Sequence, residues 1–229
     1  MIKRLSATLL AIGLVAFGGI NSAHGSVIFS ATAAAVNKGG VAPGGGFGNI
    51  ADTFNQNGLL GTPYVSDVTD FDSYVASTQH TALWSGNEWF SGFVLNLPVI
   101  VTYDFGAVRT FDALALWNEE GSGILNLDLE ISNDGISFSS LAAGLMPADS
   151  PNARDYGAEV FNSFGTASAQ FVRFLMTGPQ PPAWFDGVGI GEVAFRHADP
   201  PTGVVPEPTS FATWGLLVGA VAAVRRRRK

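Results

Sequence analysis

Leu125-Asn126-Leu127-Asp128-Leu129-Glu130-Ile131-Ser132-Asn133-Asp134-Gly135-Ile136-Ser137-Phe138 is the stretch on which the fold turns. Leu125, Leu127, Leu129 and Ile131 alternate strictly with Asn126, Asp128 and Glu130. That is the period of a strand with one face on a core and the other in water. Asn133-Asp134-Gly135 follows at once, and Asp-Gly tolerates the positive φ of a tight hairpin turn. Ile136 and Phe138 then resume the apolar side. Further out, residues 99–105, 113–117 and 171–176 read as more continuously buried strands, and Val193 and Phe195 mark a last one. Helical periodicity is weak throughout. Short strands separated by Gly, Asp, Asn and Ser turns predict an all-β fold, an antiparallel sandwich.

The two ends of the chain stand apart from this pattern. Lys3 and Arg4 precede an apolar stretch over residues 9–20, and Ala23-His24-Gly25 puts small residues at the minus-three and minus-one positions. This is the pattern of a cleavable signal peptide over residues 1–25, with Ser26 as the mature N-terminus. At the other end Val205-Pro206-Glu207-Pro208 leads into an apolar run and then into Arg225, Arg226, Arg227, Arg228 and Lys229. The prolines make a stiff spacer. The run from residue 209 to 224 makes a helix of roughly 24 Å, short against a hydrocarbon core of about 30 Å. The terminal cations hold their end in the cytoplasm. Together, motif, apolar helix and basic tail over residues 205–229 resemble the PEP-CTERM sorting signal of Gram-negative bacteria. That resemblance implies processing by an exosortase, a transient stay in the inner membrane, and delivery to the cell surface or extracellular matrix.

Between the ends, residues 26–204 fit a single domain, long enough to bury a core without disulfides. The chain has no cysteine, which excludes disulfide frameworks, thiolate metal sites and cysteine nucleophiles. The fixed cations of the body are Lys38, Arg109, Arg154, Arg173 and Arg196, five against eighteen carboxylates, a net charge of −13. Such a surface repels phosphate backbones and excludes nucleic acid as a natural partner. It leaves carboxylates free for hard cations such as calcium. Residues 26–61 are rich in Gly, Ala and Asn and read as a loosely structured start.

Four segments resemble the discoidin-type domains, the C-type domains of coagulation factors V and VIII. They are Val101-Thr102-Tyr103-Asp104-Phe105-Gly106, the Leu129–Phe138 hairpin quoted above, Ala169-Gln170-Phe171-Val172-Arg173-Phe174, and Ile190-Gly191-Glu192-Val193-Ala194-Phe195. Their order and approximate spacing match over residues 101–197. The resemblance implies the galactose-binding-like jelly roll, an eight-stranded β-sandwich that binds ligands at its loop ends. It also implies a structural calcium between the glutamate of the last strand, here Glu192, and an earlier loop. Asp72 or Asp70 and Thr81 would be the loop partners; the alternative reading leaves Glu192 facing solvent.

The remaining chemistry is sparse. His80 and His197 have no metal or triad spacing and read as structural, and there is no Gly-x-Ser-x-Gly elbow. Glu119 and Glu120 are adjacent; on a strand they would point to opposite faces, so an acid pair needs a loop, and a solvated loop is the expectation. Gly187-x-Gly-x-Gly191 leads into a strand and not a helix, so it is no dinucleotide fingerprint. For a sugar, Trp184 and Trp89 are the expected stacking platforms, with Asp186, Asn87 and Asn118 fixing hydroxyls. Trp84 and Trp117 are expected in the core. The function expected on these grounds is a non-enzymatic exported protein that binds carbohydrate, its partners exopolysaccharide or other glycans. A structural surface protein without a ligand is the alternative, and a glycan-active hydrolase a weaker one.

Overall fold

The computed structural model describes residues 26–39, 47–83, 86–92, 97–150, 153–181, 183 and 186–198. The expected signal peptide, the sorting tail, Trp84 and Trp184 lie outside these residues. In chain order the strands are β1 (Ile28–Phe29), β2 (Ala33–Lys38), β3 (Gln79–His80), β4 (Trp89–Phe90), β5 (Val99–Asn118), β6 (Asn126–Ser132), β7 (Ser139–Leu145), β8 (Tyr156–Gly157), β9 (Glu159–Phe161), β10 (Ala167–Thr177) and β11 (Gly189–His197). One helix, α1 (Phe71–Ser77), and a 3-10 turn at Ile50–Thr53 complete the described elements.

The organising element is β5. Its 20 residues cover two segments that the sequence suggested were separate strands. Gly106, at φ 75°, marks the exposed middle. The first half of β5 lies between β2 and β10, and β10 continues to β6 and β7. The second half lies between β9 and β11, and β11 carries β1 and β4 on its other edge. All these pairings are antiparallel, so one strand belongs to both layers of a β-sandwich.

Alternation explains the packing. Val99, Val101, Tyr103, Leu114 and Leu116 of β5 join Leu127, Leu129, Phe174, Met176, Val193 and Phe195 in the main core. Ala113, Ala115 and Trp117 face the other way, into a second cluster with Ile28, Phe71, Val75 and Tyr156 beneath α1. Each fully buried aliphatic or aromatic side chain adds about 1.5–3 kcal/mol of transfer free energy. The shared strand lets one segment contribute to both clusters. α1 starts because Asp70 accepts a hydrogen bond from the Ser73 amide at 2.8 Å and so caps its first turn.

The hairpin forms as expected, with Gly135 at φ 70° and Asp134 accepting from the Ile136 and Ser137 amides at 2.8 Å. Its apolar register is narrower than expected. Leu127 and Leu129 are buried, but Leu125 sits at the strand's exposed start and Ile136 at the turn is 84% exposed. Phe138 packs under the Arg173 guanidinium, 3.3 Å from the ring centre, instead of entering the core. Of the start expected to be loosely structured, residues 40–46 lie outside the described residues; on either side of them β1 pairs with β11, β2 pairs with β5, and Asn49 and Asp52 form a reciprocal cap on the 3-10 turn. Small residues there let β2 lie flat on β5. The described strands number eleven, beyond the eight of the expected jelly roll.

Candidate functional site

Three loops meet at one end of the sandwich. Residues 83–92 are tied to residues 186–189 by the Ser91 amide on the Val188 carbonyl and the Val188 amide on Ser91 Oγ. Residues 118–125 are tied to both sides, with the Gly189 amide on the Ser122 carbonyl and the Gln180 amide on the Gly123 carbonyl. Asn118 pins this junction from inside, donating to the Gln180 side chain and the Ile124 carbonyl and accepting from the Ile124 amide.

Glu88, Glu119 and Glu120 converge here, with one carboxylate oxygen of each within 4.8 Å of the others. β5 ends at Asn118, so the alternation of a strand no longer separates Glu119 from Glu120. The turn is not solvated as expected: Glu88 and Glu119 are buried, and Glu120 is half-buried. Glu119 accepts from the Ser122 amide, and Glu88 accepts from the Tyr156 hydroxyl. Glu88 Oε2 and Glu120 Oε2 are shut off from solvent without a hydrogen-bond partner. Burial, then the neighbouring Glu120 charge, pushes Glu88 up to about 7. Burial, then Glu120 and Glu88, pushes Glu119 up to about 8.

Glycines make the room. A Cβ at Gly189 would lie 2.8 Å from Glu119 Cβ, one at Gly123 would lie 2.5 Å from the Glu119 carbonyl, and one at Gly191 would lie 2.3 Å from Tyr156 Oη. The Gly-x-Gly spacing at the start of β11 therefore admits Glu119 and Tyr156. His80 stands beside the cluster, its Nδ1 2.9 Å from the Thr81 carbonyl and 3.5 Å from Glu88. Burial lowers it to about 4, so it is neutral at pH 7 and offers no counter-charge.

The residues expected to form a calcium site take separate partners. Glu192 is fully buried and not solvent-facing; its Oε2 accepts from the Gln56 amide at 3.1 Å, and its Oε1 has no partner. Burial, then Asp52, raises it well above the usual carboxylate range. Asp72 is instead exposed and bound to Arg196 at 3.2 Å, Asp70 caps α1, and Thr81 Oγ1 accepts from the Leu83 amide. The structure does not bring Asp70, Asp72 and Thr81 to Glu192 as a ligand set.

Of the expected sugar contacts, Trp89 is a core residue with no exposed surface, because it lies on the inner face of β4 against the sandwich. Asn118 is also buried and committed to holding the loop junction. Neither can reach a sugar. Asn87 is half-buried and donates to the Leu83 carbonyl at 2.6 Å, and Asp186 is exposed. Both lie in the loops that meet at this end. Trp117 is buried as expected, with its Nε1 donating to the Thr78 carbonyl.

No protein-family model matches the chain, and no curated protein matches it. Solved structures do. The family 32 carbohydrate-binding module of AlyQ, in complex with 4,5-unsaturated mannuronic acid, is similar at 14% identity and TM-score 0.45, covering 75% of this chain and 98% of that one. A truncated AlyQ with its carbohydrate-binding and alginate lyase domains is similar at 16% identity and TM-score 0.47, covering 76% of this chain and 34% of that one. A family 32 module from Clostridium perfringens, in complex with GalNAc-beta-1,3-galactose, is similar at 17% identity and TM-score 0.40, covering 48% of this chain and 75% of that one.

Proposed function

We propose that this chain is a non-enzymatic, exported β-sandwich that binds carbohydrate at the loop end described above, its ligand an extracellular polysaccharide. The observation that carries this reading is the meeting of three loops at one end of the sandwich, two of which carry exposed Asp186 and half-buried Asn87. Amide and carboxylate groups presented on neighbouring loops suit sugar hydroxyls. Trp184 lies between Pro181 and Asp186 in one of these loops and is the aromatic residue best placed in sequence to stack on a ring. Export, exosortase processing at the tail and a final place on the cell surface or in the matrix complete the proposal, resting on the two terminal segments of the sequence.

A glycan array probed with the purified protein tests it. Binding to neutral or acidic polysaccharide is expected, and Trp184→Ala should weaken that binding with little change in melting temperature. A blank array from a folded protein would remove the reading. It would leave the second one, a structural surface protein without a ligand, which the burial of Trp89 and Asn118 favours.

A further inference from the structure

The carboxylate cluster at the loop end is unbalanced. Among the described residues the ion pairs of Arg109, Arg173 and Arg196 all lie elsewhere, on Asp67, Glu130, Asp72 and Asp112. Among the described residues the basic side chain that approaches the cluster is His80, 3.5 Å from Glu88. Its Nδ1 is already directed at the Thr81 carbonyl. Three acidic side chains drawn together out of water, with no cation beside them, repel one another and lose hydration. An acidic cluster alone would be a weak signal. Here Glu88 is fully buried, its Oε2 has no hydrogen-bond partner, and one of its carboxylate oxygens lies within 4.8 Å of an oxygen of Glu119 and of Glu120. The space around the group is also built: glycines stand at 123, 189 and 191, where a side chain would collide with Glu119 or Tyr156.

We propose that Glu88, Glu119 and Glu120 bind a single calcium ion. The donors are all carboxylate oxygens, which select hard cations over zinc or copper. Three carboxylates can supply up to about six oxygens when bidentate, within the range of about six to eight that calcium accepts. Magnesium keeps several waters and demands a tight octahedron, which suits a buried group of long side chains less well. The ion would join two loops, since Glu88 precedes β4 and Glu119 and Glu120 follow β5, and it would brace Gly189 of β11, which packs on Glu119. This site shares no residue with the set expected around Glu192. It also stands whether or not a glycan binds: a blank array with an intact calcium response would sink the glycan reading and leave this one.

The experiment is a calcium titration of the purified protein after chelation, followed by calorimetry and by thermal melting, with magnesium as a parallel arm. Saturable binding at one site is expected, with a rise in melting temperature that magnesium reproduces only weakly. Glu120→Gln, at the half-buried position, should fold and weaken calcium binding at least about tenfold. Glu88→Gln should abolish the calcium-dependent rise while melting no lower than the calcium-free parent, because it removes a repelled charge. Glu192→Gln should leave the response intact. Absence of calcium binding in the folded parent would overturn the proposal, as would full affinity in Glu120→Gln. A response lost in Glu192→Gln and kept in Glu120→Gln would place the ion elsewhere.

Discussion

Raising the pH of the calcium-free protein from 6.5 to 8 will destabilise it. Glu88 is held at about 7 and Glu119 at about 8, while both titrate near 4.5 in the unfolded chain. Over that interval the folded state keeps protons the unfolded state has lost, so stability falls as pH rises. His80 works in the opposite sense. Burial lowers it from 6.5 to about 4, so between those values the unfolded chain holds the extra proton and stability rises with pH. The two effects oppose each other below 6.5; above it only the carboxylates act, with Glu192, raised in the same direction by burial, adding to the fall that Glu88 and Glu119 set. From 6.5 upward the pair has about two pH units of titration left in all, which at about 1.4 kcal/mol each is roughly 3 kcal/mol. For a domain of this size that lowers the melting temperature by about 6–12 °C. Thermal melts in chelator, stepped between pH 6.5 and 8, measure it. Glu119→Gln should flatten the slope, and saturating calcium should do the same by standing where the protons stood. A calcium-free melting temperature that holds steady or rises across this range would refute the reasoning.

Three further outcomes follow from the packing and the tail. Trp89→Ala should cost about 3–5 kcal/mol in urea unfolding through lost burial and the cavity it leaves; a near-neutral result would show that Trp89 is not the core residue its burial indicates. Gly191→Ala should cost about 1–3 kcal/mol, because its Cβ must displace the Tyr156 hydroxyl from Glu88; a melting curve superimposable on the parent would contradict the close approach. Replacing Pro206-Glu207-Pro208 by alanines should trap a longer, membrane-bound form in an exosortase-positive host, and mass spectrometry finding an intact C-terminus on the mature parent protein would end the sorting proposal.

The parts of the fold legible in sequence were those with local causes. Strict alternation over Leu127 and Leu129 marked β6, and Asp134-Gly135 marked its turn, because period and turn chemistry act over a few residues. The continuity of β5 was not legible: Gly106 looks like a strand end, yet the chain bends there and stays in the ladder. β2 was hidden for a related reason, since its alanines lack β-branched bulk and pair only because β5 offers an edge. At the site, Glu119-Glu120 was visible as a pair but not as buried, because burial depends on residues 88 and 189, distant in sequence. The Gly-x-Gly that opens β11 was the available signal. Its meaning lay in which side chains it lets approach. Trp89 misled for the opposite reason: a tryptophan between loop-forming residues looks exposed until β4 is seen to pair with Gly189 and Ile190.

β11 has a direction, and with it the whole body acquires two poles. It begins at Gly189, against Glu119, and ends at His197, where β1 lies alongside through Ile28 and Arg196. At about 3.3 Å per residue the strand is roughly 26 Å long from one end to the other. Whatever grips the chain beyond His197 therefore grips it by the pole away from the carboxylates and the converging loops.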